Sequence, residues 1–215
     1  PGRDGWDSLE VTDEEQRKLL RIFVANRIGC SSDSEESGLY ANISLINHSC
    51  SPNVCWSWLR EDPGKTVKQV RVVRRIKEGE EICAAYIDLE FLVREERQEE
   101  LAFWFPSCSC PLCQLDGEQL EINEATRSLL TKLHSSVENL GTQGCSTGEE
   151  AVLELAAQAA LEKVEVMERI IDEVTVKVPV ALMDYCTLAA VLGRRGEREK
   201  KMQERARTMA AMFGD

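Results

Sequence analysis

Three runs of this chain hold residue types that could do chemistry together: Asn47-His48-Ser49-Cys50-Ser51-Pro52-Asn53, Gly79-Glu80-Glu81 leading to Tyr86, and Cys108-Ser109-Cys110-Pro111-Leu112-Cys113. Taken singly they are a polar turn, a hairpin turn and a cluster of thiols. Cys108, Cys110 and Cys113 sit so close in sequence, around a proline, that their thiols would crowd one another unless they share a metal. Zinc suits them, and its tetrahedral structural sites need a fourth protein ligand. Cys50, in a polar turn beside Pro52, is the first candidate. His48 competes with it, because a site of three cysteines and a histidine is chemically sound as well. Such a site fills every coordination position with protein and leaves none for a reacting water. With Cys50 as ligand it would tie the 47–53 run to the chain beyond Tyr86, so that metal organises the site without taking part in the reaction. The plain alternative is three free thiols near a helix end.

Elements must position these runs. The segment from Asp13 to Asn26 carries acids at its start and apolar residues at helical spacing, which predicts a helix with Thr12 as its N-cap. Gly29 to Gly38 is small, polar and acidic, a loop. Leu39 to Ile46 is an apolar run entering the Asn47-His48 pair. Val54 to Leu59 and Thr66 to Ile76 alternate around Glu61-Asp62-Pro63-Gly64 and predict a β-hairpin. A turn at Glu78-Gly79-Glu80 then leads to a strand over Glu81 to Tyr86, and the pattern becomes helical from Glu90 to Phe103. Beyond Asp116-Gly117 the periodicity predicts helices over Leu120 to Leu140, Glu149 to Val174, Ala181 to Leu192 and Glu197 to Met212, with breaks at Gly141, Pro179 and Gly193. The fold class is therefore α+β: short strands with a zinc module over 1–115, followed by an α-helical array over 116–215.

Composition narrows the function classes. The 215 residues suffice for one large domain or two small ones. A net charge of -12 argues against direct binding to nucleic acid or an anionic membrane and permits a basic protein partner. No apolar run approaches a membrane span, no signal peptide is expected, and nine cysteines, an odd number, do not suggest a disulfide framework. The expected compartment is reducing, cytoplasmic or nuclear. Cys55, Cys83 and Cys186 read as buried small hydrophobes.

The order Asn-His-Ser-Cys-x-Pro-Asn, Gly-Glu-Glu-x4-Tyr and Cys-x-Cys-x2-Cys resembles the second half of a SET domain with its post-SET zinc site, in the manner of the SET-and-MYND family of protein lysine methyltransferases. The resemblance covers Leu39 to Gln114, with Leu39-Tyr40 and Asp88 agreeing. It implies that Asn47 and His48 hold S-adenosylmethionine, that Tyr86 stands beside the methyl-transfer channel, and that Cys50, Cys108, Cys110 and Cys113 hold zinc. It also implies that the chain after Tyr86 threads beneath the Asn-His segment. The substrate would be a protein or peptide lysine, on a histone or another basic protein.

Three departures accompany it. The family's Gly-x-Gly cofactor loop and first strands have no counterpart in the residues before the motif, so the chain is expected to represent the C-terminal half of the SET domain. Pro106 stands where the family places a phenylalanine to stack on adenine, and Phe105 or Trp104 is the expected substitute. The acidic loop from Asp33 to Glu36 has no assigned role. A noncatalytic, zinc-stabilised interaction scaffold is the alternative reading; a hydrolase using His48 and a cysteine nucleophile ranks last, since a zinc-bound Cys50 could not attack.

Overall fold

The computed structural model describes residues 13–29, 37–62, 65–89, 91–170 and 178–213, with side chains at all of these except 57–62, 65–67, 170, 178–179 and 212–213. Helix α1 runs over Glu14–Asn26. Its cap is Asp13, whose carboxylate accepts the Glu15 amide, and Glu14 and Glu15 sit at the positive end of the helix dipole. Thr12, the cap expected from sequence, lies outside the described residues, as does most of the acidic loop, including Asp33 to Glu36. The two ends of that loop pair as short antiparallel strands, β1 (Ile28–Gly29) and β2 (Ser37–Gly38).

A 3-10 turn over Ile43–Leu45 delivers the chain to β3 (Asn47–His48). The expected hairpin is β4 (Val54–Asp62) against β5 (Lys65–Val72), antiparallel, with Trp56 opposite Val70. It ends four residues before Ile76, because Val73 turns its amide to Asn53 instead. Gly79, at φ +79°, makes the following turn, a backbone conformation that L residues rarely adopt. The strand expected over Glu81 to Tyr86 shrinks to β6 (Cys83–Ala84), because its partner is the two-residue β3, paired in parallel. The helix expected over Glu90 to Phe103 is α2 (Arg94–Leu101).

The C-terminal half is helical. Helix α3 runs unbroken over Gly117–Thr147, α4 over Glu150–Met167, α5 over Val178–Val191 and α6 over Glu197–Phe213. The break expected at Gly141 is absent. Gly141 and Gly144 instead let α3 approach its neighbours: a Cβ on Gly144 would meet the Leu153 side chain at 2.7 Å, and one on Gly141 would rest 3.7 Å from Leu188. The real stop is Gly148 (φ +72°), and Gly193 (φ +70°) ends α5 as expected. Pro179 falls in the first turn of α5, where its missing N–H is no loss.

Two apolar clusters fill this array. One gathers Leu130, Val164, Met167 and Leu182; the other sets Tyr185 among Ala156, Ala157, Ala160 and Ala189, and the small alanines let helices pack closely. A third, smaller cluster lies in the N-terminal half and consists of Cys50, Leu89, Leu101, Leu112 and Cys113. Polar staples join the halves: the buried Arg127 of α3 donates to the Leu89 carbonyl, Glu124 accepts the Arg94 amide at 2.9 Å, and Phe91 stacks on His134 at 4.7 Å.

Candidate active site and metal centre

The parallel ladder of β3 and β6 sets Asn47 beside Cys83 and His48 beside Ala84. Ser49 extends it by donating its amide to the Ala84 carbonyl at 3.0 Å. Asn53, 1% exposed, locks the crossing. Its amide nitrogen donates to the Glu81 carbonyl at 2.8 Å and to the Glu80 carboxylate at 3.2 Å, while its Oδ1 accepts the Cys83 amide at 2.9 Å. Glu80 also accepts the Lys77 amide and pairs with Arg74 at 2.7 Å. These donors hold its carboxyl down at about 2, the Lys77 amide first among them. Sequence reading placed Asn53 in the motif without giving it a role, because its partners lie about thirty residues away and nothing local announces them.

His48 is fixed at both ring nitrogens. Nδ1 accepts the Tyr86 amide at 3.0 Å, and an amide can only donate, so that nitrogen carries no proton. Nε2 lies 3.2 Å from Cys50 Sγ. Burial lowers the imidazole to about 4, so the ring is neutral at pH 7 and its single proton is on Nε2, directed at sulfur. His48 thus turns an N–H toward Cys50.

The Sγ atoms of Cys50, Cys108, Cys110 and Cys113 all lie within 4.8 Å of one another, with Cys50 and Cys113 at 3.5 Å. Four thiolates around one zinc at about 2.3 Å would sit about 3.8 Å apart, so the cluster is of the right size to hold that ion. The thiols share protons in a way a cation would replace: Cys113 and Cys50 donate to Cys110 and push it toward the thiolate. Cys50 is pushed up in return, and burial raises Cys108 to about 11. Gln98 clasps the cluster from α2, its carbonyl accepting the Cys108 amide at 2.7 Å and its amide donating to the Cys108 carbonyl at 3.0 Å. Beside it Arg97 is fully buried; Nη1 donates to the Leu92 carbonyl, whereas Nε and Nη2 have no hydrogen-bond partner among the described residues. Of the remaining cysteines, Cys186 is buried, as expected; Cys55 and Cys83 are only half-buried, because each lies on a strand with solvent on one side.

Two cavities meet at Tyr86. The larger, about 690 Å³, is lined by Asn47, His48, Glu81, Trp104, Phe105 and the cysteine loop. Phe105 faces the His48 ring at 5.9 Å and lines the cavity with Trp104, while Pro106 is exposed. Asn47 donates its side-chain amide to Glu81 at 2.7 Å. The smaller cavity, about 280 Å³, is lined by Ile28, Trp56, Lys68 and Trp104. Tyr86 borders both, and its hydroxyl donates to the Ile46 carbonyl at 2.7 Å. Burial raises its phenol, which keeps that donor protonated. The rings of Trp56 and Trp104 stand 6.3 and 5.4 Å from its own. Of the aromatic residues around Tyr86, Trp56 went unread in the sequence, where it counts only as one more position in an alternating strand.

The paired Asn-His strand and the tyrosine between the two cavities lie in a stretch, residues 7–87, that matches the family model described as SET domain. The match begins well upstream of Leu39, so the segment of α1 belongs to it, and it takes in Cys50 but ends before Cys108, Cys110 and Cys113. Among relatives, the chain is 28% identical over 114 residues to N-lysine methyltransferase SMYD2-A of Xenopus laevis, and 35% over 86 residues to protein-lysine N-methyltransferase SMYD4 of Homo sapiens. It is 30% identical over 132 residues to histone-lysine N-methyltransferase set5 of Schizosaccharomyces pombe. These alignments take in 48%, 39% and 55% of this chain but only 25%, 10% and 40% of the relatives. The resemblance to SET-domain lysine methyltransferases of the SET-and-MYND kind thus stands on the family match and on these relatives together.

Proposed function

We propose that this chain is part of a protein-lysine N-methyltransferase that uses S-adenosylmethionine, with one structural zinc. The observation that carries the reading is Tyr86, a neutral phenol standing between a large cavity of mixed lining and a smaller one walled in part by Trp56 and Trp104. S-adenosylmethionine supplies, when bound, an electrophilic methyl on a sulfonium. Asn47, His48 and Phe105 would hold it in the larger cavity, the first two through hydrogen bonds and the third through its ring. The smaller cavity would admit a lysine side chain along Trp56 and Trp104, whose faces suit an ammonium, while the cationic Lys68 in its wall favours loss of a proton from a second amine. Tyr86, tethered to the Ile46 carbonyl, would orient the amine so that attack is in line. Cys50, Cys108, Cys110 and Cys113 would hold zinc in a closed site that shapes the pocket and stays out of the reaction.

The reading carries three further proposals: a boundary near 115/116 between catalytic and helical parts, a basic protein such as a histone as substrate, and a reducing compartment, cytoplasmic or nuclear. Supporting the second are the acidic charge of the chain and the substrate named for the yeast relative. Calorimetric titration of S-adenosylmethionine into the chain, paired with methyl transfer to a lysine peptide, tests the whole. Tyr86→Phe is expected to keep cofactor and zinc and to lose roughly 10²-fold or more in rate. Equal rates in the two forms would refute the role of Tyr86, and absence of binding would favour the scaffold reading.

A further inference from the structure

Lys68 is only 9% exposed, burial that a lysine accepts where its charge is held. It leaves β5 on the same face as Val70, the residue opposite Trp56, and so stands diagonally across the hairpin from that indole. Its Nζ lies 5.6 Å from the Trp56 ring centroid and 5.9 Å from that of Tyr40, within reach of both π-faces. Lys68 also lines the smaller cavity together with Tyr86 and Trp104. A lysine of this very chain therefore forms part of the wall of the cavity proposed for the acceptor.

We propose that Lys68 is a methyl acceptor in cis, modified at Nζ through the cavity that opens on Tyr86. The inference rests on the methyltransferase reading. In the step, Nζ first gives a proton to solvent. Its lone pair then forms the N–C bond to the donor's methyl as the C–S bond breaks, the bonding pair staying on sulfur. Sulfonium and amine become thioether and methylammonium, so charge balances and no further reactant is needed. A methylated lysine keeps its positive charge, so the modified side chain retains its contacts with Trp56 and Tyr40 and gains apolar surface against them. Modification would therefore leave Lys68 in place and narrow the route by which an external lysine enters.

The test measures cofactor retention first, by titration, and then incubates the chain with S-adenosylmethionine bearing a deuterated methyl. Tandem mass spectrometry of the digest locates the label. The expected result is a deuterated methyl on Lys68, formed at a rate per chain that does not change on dilution, and lowered roughly 10²-fold or more in Tyr86→Phe. Retained cofactor with label only on other lysines or on an added peptide overturns the proposal and leaves the methyltransferase reading standing. Label on Lys68 whose rate falls with dilution shows transfer between molecules and overturns it too. Failure to retain cofactor is seen at the first step and removes both.

Discussion

The two halves of this chain are held together by different physics. The helical array buries Leu130, Met167, Leu182 and the alanines of α4 and α5 in contiguous apolar clusters. The half that carries the site has two-residue strands, exposed Leu19, Leu39 and Leu45, and an apolar cluster whose centre is two cysteines. What replaces a core there is a set of long-range polar ties: Asn53 to Cys83, His48 to Tyr86, and Cys50 to Cys113 across 63 residues. A segment so built depends on a few specific groups, whereas the array averages over many interchangeable ones.

The sharpest way to break this comparison is to remove the zinc proposed for the thiol cluster. Structural zinc in small modules contributes on the order of 10 kcal/mol of apparent folding free energy. Cys50→Ser and Cys113→Ser are each expected to lose the ion and to open the chain between about residues 37 and 115 to protease, while far-ultraviolet circular dichroism keeps the helical signal. Metal retained in both variants would mean the thiol cluster is not its site. Leu130→Ala acts on the other half. Fully buried among α3, α4 and α5, it is expected to cost about 2–5 kcal/mol in urea unfolding and to leave zinc stoichiometry unchanged.

Asn53→Ala comes next in size. It strands the Cys83 amide and the Glu81 carbonyl, for about 1–3 kcal/mol, and the loss should appear in the site half alone, as faster hydrogen exchange at Cys83 and Tyr86. Uniform acceleration in both halves would show that they unfold as one unit and would erase the distinction. The smallest effect is that of pH. Glu80 has its carboxyl lowered from an ordinary value of 4.5 to about 2, so it binds a proton more readily when unfolded. Its contribution is full above pH 4.5 and is lost as pH falls toward 2. Glu80→Gln is expected to flatten the acid limb of the site-half transition; an unchanged limb would show that the Arg74 and Lys77 contacts contribute nothing.

How far the sequence disclosed these halves follows the same division. The convergence of the thiols, the Asn-His pair and Tyr86 was legible, because the three motifs that hold them stand in a recognisable order. Helices over 117–213 were legible from periodicity, but Gly141 and Gly144 were not: a glycine that breaks a helix and one that admits a neighbouring Leu153 look alike in one dimension. The polar ties were largely invisible. Glu81 as partner of Asn47, and Lys68 as tenant of the aromatic cavity, depend on a parallel ladder and a hairpin register that propensity does not specify.

His48 has one more consequence, and it is spectroscopic. A single imidazole separates the Tyr86 amide from the Cys50 sulfur, with Nδ1 on one side and Nε2 on the other. Filling the thiol cluster with a cation changes the charge on that sulfur, and the ring passes the polarisation to the Tyr86 N–H. In a nitrogen-15 correlation spectrum, the Tyr86 cross-peak should therefore act as a gauge of metal loading, read from the very residue on which methyl transfer would turn.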